Sequence, residues 1–101
     1  MKITVKKKEY DSGKILRNKY KKFTEVRDRL SQKEGYTDED LGDMIDVLVI
    51  MFDNQFTAED IDLEFDVPEI IYNFMRADIE IAEKLDRKIE ETNKLFMKDK
   101  K

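Results

Sequence analysis

A mainly α fold is the class this sequence predicts: three to four helices, a long C-terminal helix and a short N-terminal extended segment or strand. Three observations predict it. Apolar residues recur at helical spacing through most of the 101 residues. Only three glycines and one proline, Pro68, punctuate the chain, far fewer turn residues than a β-sandwich needs. Charged residues make up 44% and hydrophobic residues 40%, a balance that supports one modest core. The chain reads as a single domain over 1–101.

The first 13 residues carry an extended segment. Ile3, Thr4 and Val5 favour a strand at about 2–8, and Tyr10-Asp11-Ser12-Gly13 supplies turn chemistry. No partner strand is evident, so this segment is expected to pair with another chain or to lie across the helices. From Lys14 the period changes. Leu16, Tyr20, Phe23, Val26 and Leu30 form one helical stripe, with Arg17, Lys21, Arg27 and Lys33 off it. That predicts a helix over 14–33, ended by Gly35.

Thr37 precedes Asp38, Glu39 and Asp40, an N-cap hydroxyl followed by carboxylates that oppose the positive helix end. Leu41, Met44, Ile45, Leu48, Val49 and Phe52 then follow at helical spacing, with Met44 and Met51 expected in the core. Thr57-Ala58-Glu59-Asp60 repeats the cap signature and predicts a short helix over 58–64, with Ile61, Leu63 and Phe65 as core contacts. Pro68 suits the first turn of a last helix over 68–97.

Function classes fall away quickly. With no cysteine and no histidine, disulfides, thiolate zinc sites, haem ligation and Cys or His nucleophiles are excluded. Ser12 and Ser31 have no base nearby in sequence, and nothing supplies a pocket for paired carboxylates. No enzyme and no cofactor are expected. Asp60, Asp62 and Glu64 alternate like the start of a calcium loop, but Phe65 stands where the loop needs glycine and Ile71 where it needs glutamate. No metal site is expected. The longest apolar run, Val47 to Phe52, is too short for a membrane span, and the N-terminus has no apolar stretch resembling a signal peptide.

The net charge of −4 hides segregation. Residues 1–33 hold 12 Lys/Arg against 4 acids, whereas residues 34–69 hold 13 acids and no base. The plainest expectation is that the two blocks face each other in the fold. A nucleic-acid arm is the sharper alternative, but Lys6-Lys7-Lys8 is short and brings no reading element.

Two constellations stand out. In Phe52-Asp53-Asn54-Gln55-Phe56-Thr57, two aromatics bracket an amide pair ahead of a capping threonine. This predicts an aromatic corner in which both rings enter the core while Asn54 and Gln55 satisfy backbone groups between two helices. On the last helix, Ile71, Met75, Asp78, Ala82, Leu85, Ile89, Thr92 and Phe96 alternate at spacings of 4 and 3, a seam with one charged interruption. Glu80–Lys84, Glu83–Arg87 and Glu90–Lys94 flank it as i,i+4 pairs. A helix of that length spans about 45 Å, so its outer part projects unless it bends back. Ala82, Leu85, Ile89, Thr92 and Phe96 are the candidate surface for a partner or a second copy; the alternative is cover by the N-terminal strand or the first helix.

Lys14-Ile15-Leu16-Arg17, the acidic connector, Leu41 to Val49 and the corner Phe52 to Thr57 together resemble the tail assembly chaperones of siphophages and prophages of Gram-positive bacteria. The similarity covers about residues 1–75, and the corner is its one specific motif. The long helix beyond Ile79 departs from the family's shorter members. The resemblance implies a protein that binds the tape measure protein, keeps it soluble and helps recruit tail tube subunits. It implies the bacterial host cytoplasm, absence from the mature virion, and no nucleic-acid or membrane partner. A longer frameshifted form is common in the family. Two other classes compete. One is a small helical DNA-binding regulator in which residues 14–33 or the short helix over 58–64 contacts DNA, and the acids of 58–64 oppose it; the other is a helical oligomerisation module built on the last helix.

Overall fold

The computed structural model describes the backbone of residues 1–99 and the side chains of residues 1–95. The architecture is mainly α, with a hairpin ahead of four helices. Strands β1 (Lys2–Val5) and β2 (Lys8–Asp11) pair antiparallel, Ile3 opposite Tyr10 and Val5 opposite Lys8. The segment expected to lack a partner therefore finds it in the next residues of its own chain. Ile3 and Val5 face the core while Lys2 and Thr4 face water, the period of a half-buried strand.

Lys6 and Lys7 form the two-residue connection, both left-handed at φ 52° and 65°. Such turns match strand twist but favour Asn-Gly, which is why two lysines concealed the hairpin. Other contacts hold the turn. The Lys6 amide donates to Glu64 Oε1 at 2.7 Å, and its ammonium lies 2.6 Å from Asp60 Oδ1. Lys7 is exposed and left-handed, so Lys7→Gly relieves backbone strain and is expected to add roughly 0.5–1 kcal/mol, read from the urea midpoint.

Helix α1 (Arg17–Leu30) is shorter at both ends than the predicted 14–33. Leu16 at its N-cap offers no side-chain acceptor, and Ser31 ends it well before Gly35. Phe23, Val26 and Leu30 are buried, whereas Leu16 and Tyr20, the start of the same stripe, are exposed. Helices α2 (Asp38–Met51) and α3 (Ala58–Glu64) start as predicted. Thr37 and Thr57 each accept from the amide three residues on, and Asp40 and Asp60 each accept back from the threonine amide. Each is a reciprocal capping box. Met44, Val47, Leu48 and Met51 of α2 are fully buried, as is Ile61 of α3. Leu63 is a correction: it points to solvent, because one buried position suffices to seat so short a helix.

The basic and acidic blocks do face each other. Buried Asp40 accepts from Arg29 at 2.9 Å and Lys33 at 2.8 Å, Arg29 also reaches Asp43, and Lys6 reaches Asp60. The Lys33 ammonium, then the Thr37 amide, hold the Asp40 carboxyl far below the usual carboxylate range. The Lys6 ammonium and the Thr57 amide hold Asp60 down at about 2, against an ordinary 3.8. A depressed folded value contributes stability above the unfolded value and loses it as pH falls through the folded one. Stability is therefore expected to decline from about pH 4 toward pH 2, and Asp60→Asn to flatten part of that decline in acid titrations of the melting temperature. An unchanged slope would remove the Lys6–Asp60 pair from the account.

Helix α4 (Val67–Asp99) packs Ile70, Phe74, Ala77 and Ile81 onto the core, with the Phe74 ring 5.4 Å from that of Phe23. The expected seam lies one residue off this face in its inner half. Ile71 is only half-buried, Met75 is exposed, Asp78 reaches Arg27 at 3.8 Å, and Ala82 is exposed. Beyond Ile81 the packed stripe runs outward through Leu85 and Leu95, with Ile89 at its margin, and all three are uncovered. Of the expected flanking pairs, Glu80–Lys84 forms at 3.3 Å, while Lys88 pairs with Glu91 at 3.4 Å. Among the described residues, Glu83–Arg87 and Glu90–Lys94 are not ion pairs.

The outer part of α4 projects. The molecule extends 57 × 33 × 21 Å with a radius of gyration of 16.0 Å, against ~13 Å for a compact domain of this length. No described side chain after Ile81 is buried. Ending the chain after Ala82 is therefore expected to leave the domain folded, with a melting temperature lowered by no more than about 4–8 °C by circular dichroism. A truncated chain that does not fold would make the outer helix part of the core.

Candidate functional site: an apolar groove between the first and last helices

The corner Phe52 to Thr57 is built as an end and a start. Phe52 is the C-cap of α2, and Asp53 follows at φ 57°. The Asp53 amide donates to the Ile50 carbonyl and the Asn54 amide to the Val49 carbonyl, both at 3.0 Å. This is a Schellman ending with aspartate, not glycine, at the left-handed position. Asn54 shares that conformation at φ 57°, so its contribution is tolerance of the left-handed region. Among the described residues its side chain makes no hydrogen bond to a backbone group, which corrects half of the amide expectation. Gln55 does bond a backbone group, its Nε2 donating to the Asp11 carbonyl at 3.0 Å, but that carbonyl belongs to β2 and not to the junction of the two helices. Phe52 and Phe56 are 0% and 4% exposed with ring centroids 5.4 Å apart, and Tyr10 of β2 meets Phe56 edge-on at 5.3 Å.

Asp53 has a second task. Lys19 of α1 is only 2% exposed; its ammonium lies 3.2 Å from Asp53 and donates to the carbonyls of Ser12 at 2.8 Å and Lys14 at 2.9 Å. Gln55 and Asp53, the latter through Lys19, thus fasten the Asp11–Lys14 segment from two sides. That segment leaves the hairpin, turns at Gly13 with φ +67°, and leads to Ile15 and α1. The left-handed φ is the reason this turn uses glycine.

The fastened segment is one wall of a groove. Gly13, Lys14, Ile15, Arg17 and Tyr20 face Ile81, Lys84, Leu85 and Lys88 of α4 across an open space of about 640 Å³. Ile15, Ile81 and Leu85 make an apolar floor with the ring of Tyr20, and Lys14, Arg17, Lys84 and Lys88 ring it with positive charge. Leu85 and Lys88 also border a shallower hollow with Ile89, Thr92 and Asn93, which carries the surface outward along the helix. Leu85 and Ile89 are 48% and 57% exposed.

Of the candidate seam, the structure places Leu85, Ile89 and Thr92 along this surface, while Ala82 is exposed beside it and the Phe96 side chain lies outside the described residues. The corner residues stand behind the wall, not in the groove. Sequence reasoning did not find Lys14, Ile15, Arg17 and Tyr20 as lining residues. The signal was the alternation of cation and apolar residue in Lys14-Ile15-Leu16-Arg17, repeated in Lys84-Leu85 and Lys88-Ile89. Among the described residues no group of acids is arranged to hold a metal ion, and no helix is long and apolar enough to cross a membrane.

No family model, curated protein or solved structure matches the chain.

Proposed function

We propose that this protein is a siphophage-type tail assembly chaperone that binds the tape measure protein, keeps it soluble and helps recruit tail tube subunits in the cytoplasm of the bacterial host. The observation that carries the reading is the uncovered apolar surface of outer α4, where Leu85 meets Ile15 and Tyr20 in a groove and Ile89 carries the surface outward along the helix. A helix-in-groove binder needs such a surface on an otherwise charged, soluble body. The sequence resemblance over residues 1–75 supplies the client, a long helical chain that requires protection until the tube forms around it.

Co-expression tests it. The tape measure protein of the same phage or prophage should gain soluble yield and co-purify with the chain, and Leu85→Asp with Ile89→Asp should abolish both effects. No co-purifying tape measure segment would overturn the proposal. The same exposed stripe also favours a helical oligomerisation module, for which light scattering would show concentration-dependent mass without any client. A DNA-binding regulator draws less support, since α3 carries Glu59, Asp60, Asp62 and Glu64, and Lys19 and Arg29 of the basic α1 are engaged by Asp53 and Asp40 within the fold. Steeply salt-dependent DNA binding would nevertheless revive it.

A further inference from the structure

We infer that the groove between Lys14–Tyr20 and α4 takes an amphipathic helix whose apolar stripe is flanked by Asp and Glu. The inference deepens the chaperone reading, and rests on it in taking the client to be helical. Charge complementarity identifies the occupant. Four cations ring the floor and no acid lines it. Among the described residues Lys14 and Arg17 form no ion pair. Among the described residues Lys84 and Lys88 pair only with Glu80 and Glu91 of their own helix, at 3.3 and 3.4 Å between partly or fully exposed side chains. Such pairs contribute little and exchange readily for a partner's carboxylate.

Shape points the same way. From Ile81 to Thr92 the surface follows α4 for about 16 Å, or three helical turns at 1.5 Å per residue. Leu and Ile side chains at i, i+4, i+7 and i+11 of a docking helix match that length, with Ile81, Leu85 and Ile89 beneath them. Flanking carboxylates then fall beside Lys14 and Arg17 on one wall and Lys84 and Lys88 on the other. A helix with lysines in those places meets four like charges. An anionic membrane fits less well: the surface is a concave channel, and α4 beside it carries Glu83, Asp86 and Glu90. The chain's own acidic segment is a poor occupant, because Asp40, Asp43, Asp53, Asp60 and Glu64 already have partners in the fold.

Two synthetic helical peptides of about 18 residues provide the test, with one leucine stripe and either Glu or Lys flanks, titrated with the full chain by fluorescence anisotropy. The Glu-flanked peptide is expected to bind at least about tenfold more tightly and to weaken several-fold between ~0.05 M and ~0.5 M salt. Lys84→Glu with Lys88→Glu should erase or reverse that preference. Leu85→Asp should abolish binding while leaving the melting curve unchanged, since Leu85 is half exposed. Equal affinity for the two peptides, binding of neither, or full affinity in Leu85→Asp overturns the inference. So does capture of phosphatidylglycerol vesicles in place of peptide, or self-association through the groove that excludes peptide. The two readings fail separately. Tape measure co-purification without peptide discrimination leaves the chaperone with another binding surface, whereas peptide discrimination without tape measure binding leaves the groove with another client.

Discussion

Phe52→Ala and Phe56→Ala are each expected to cost about 3–5 kcal/mol, the range for truncating a fully buried phenylalanine. Neither ring has water to fall back on. Phe52 is completely buried at the end of α2, and Phe56 lies between it and Tyr10 of β2. Removing Phe56 therefore opens a void where the hairpin, α2 and α3 converge. A domain of this size has only about 5–15 kcal/mol in total, so either variant lies near unfolding at physiological temperature. Urea unfolding by circular dichroism measures the loss, and Phe56→Leu should recover more than half of it by refilling the volume. If both alanine variants melt with the native chain, the corner is not the keystone of the core.

The helices were legible in the sequence because capping and periodicity agreed. Thr37 and Thr57 mark two starts to the residue, and Pro68 lies in the first turn of the last helix. The hairpin was not legible, since both turn residues are left-handed lysines and the acids that hold Lys6 there, Asp60 and Glu64, are more than fifty positions away. Long-range contacts overrode local propensity there. On α4 the heptad spacing was real, but a straight helix repeats every 3.6 residues, so a strict heptad seam drifts across its surface. Ile71 and Met75 therefore fall beside the packed face, and the drift brings Leu85 and then Thr92 progressively nearer to its line. The groove was half legible. Its α4 wall is the seam's outer stretch; its other wall depends on where Gly13 sends the chain, which no periodicity encodes.

Lys19→Met is expected to cost about 2–3 kcal/mol, the usual loss for hydrogen bonds to a charged group whose partners are left behind. Methionine fills the same unbranched space, so packing is preserved and the polar loss is isolated. What decides the sign is the acceptors. If the burial cost of the ammonium dominated, its removal would be neutral or stabilising. The Ser12 carbonyl is bonded at a buried site, however, and both it and the Lys14 carbonyl lose their donor when the ammonium goes. Asp53 is mostly exposed and rehydrates cheaply, so Asp53→Asn should cost less than about 1 kcal/mol. Lys19→Met also frees the wall that carries Lys14 and Ile15 from the α2–α3 corner, leaving Gln55 as the corner's remaining tie to it. Lys19→Met should therefore weaken the Glu-flanked peptide by about tenfold even where the domain is fully folded, while Asp53→Asn binds nearly as the native chain does. Native stability in Lys19→Met would show that the carbonyls find water. Native peptide affinity in a destabilised variant would show that the groove does not depend on the corner behind it.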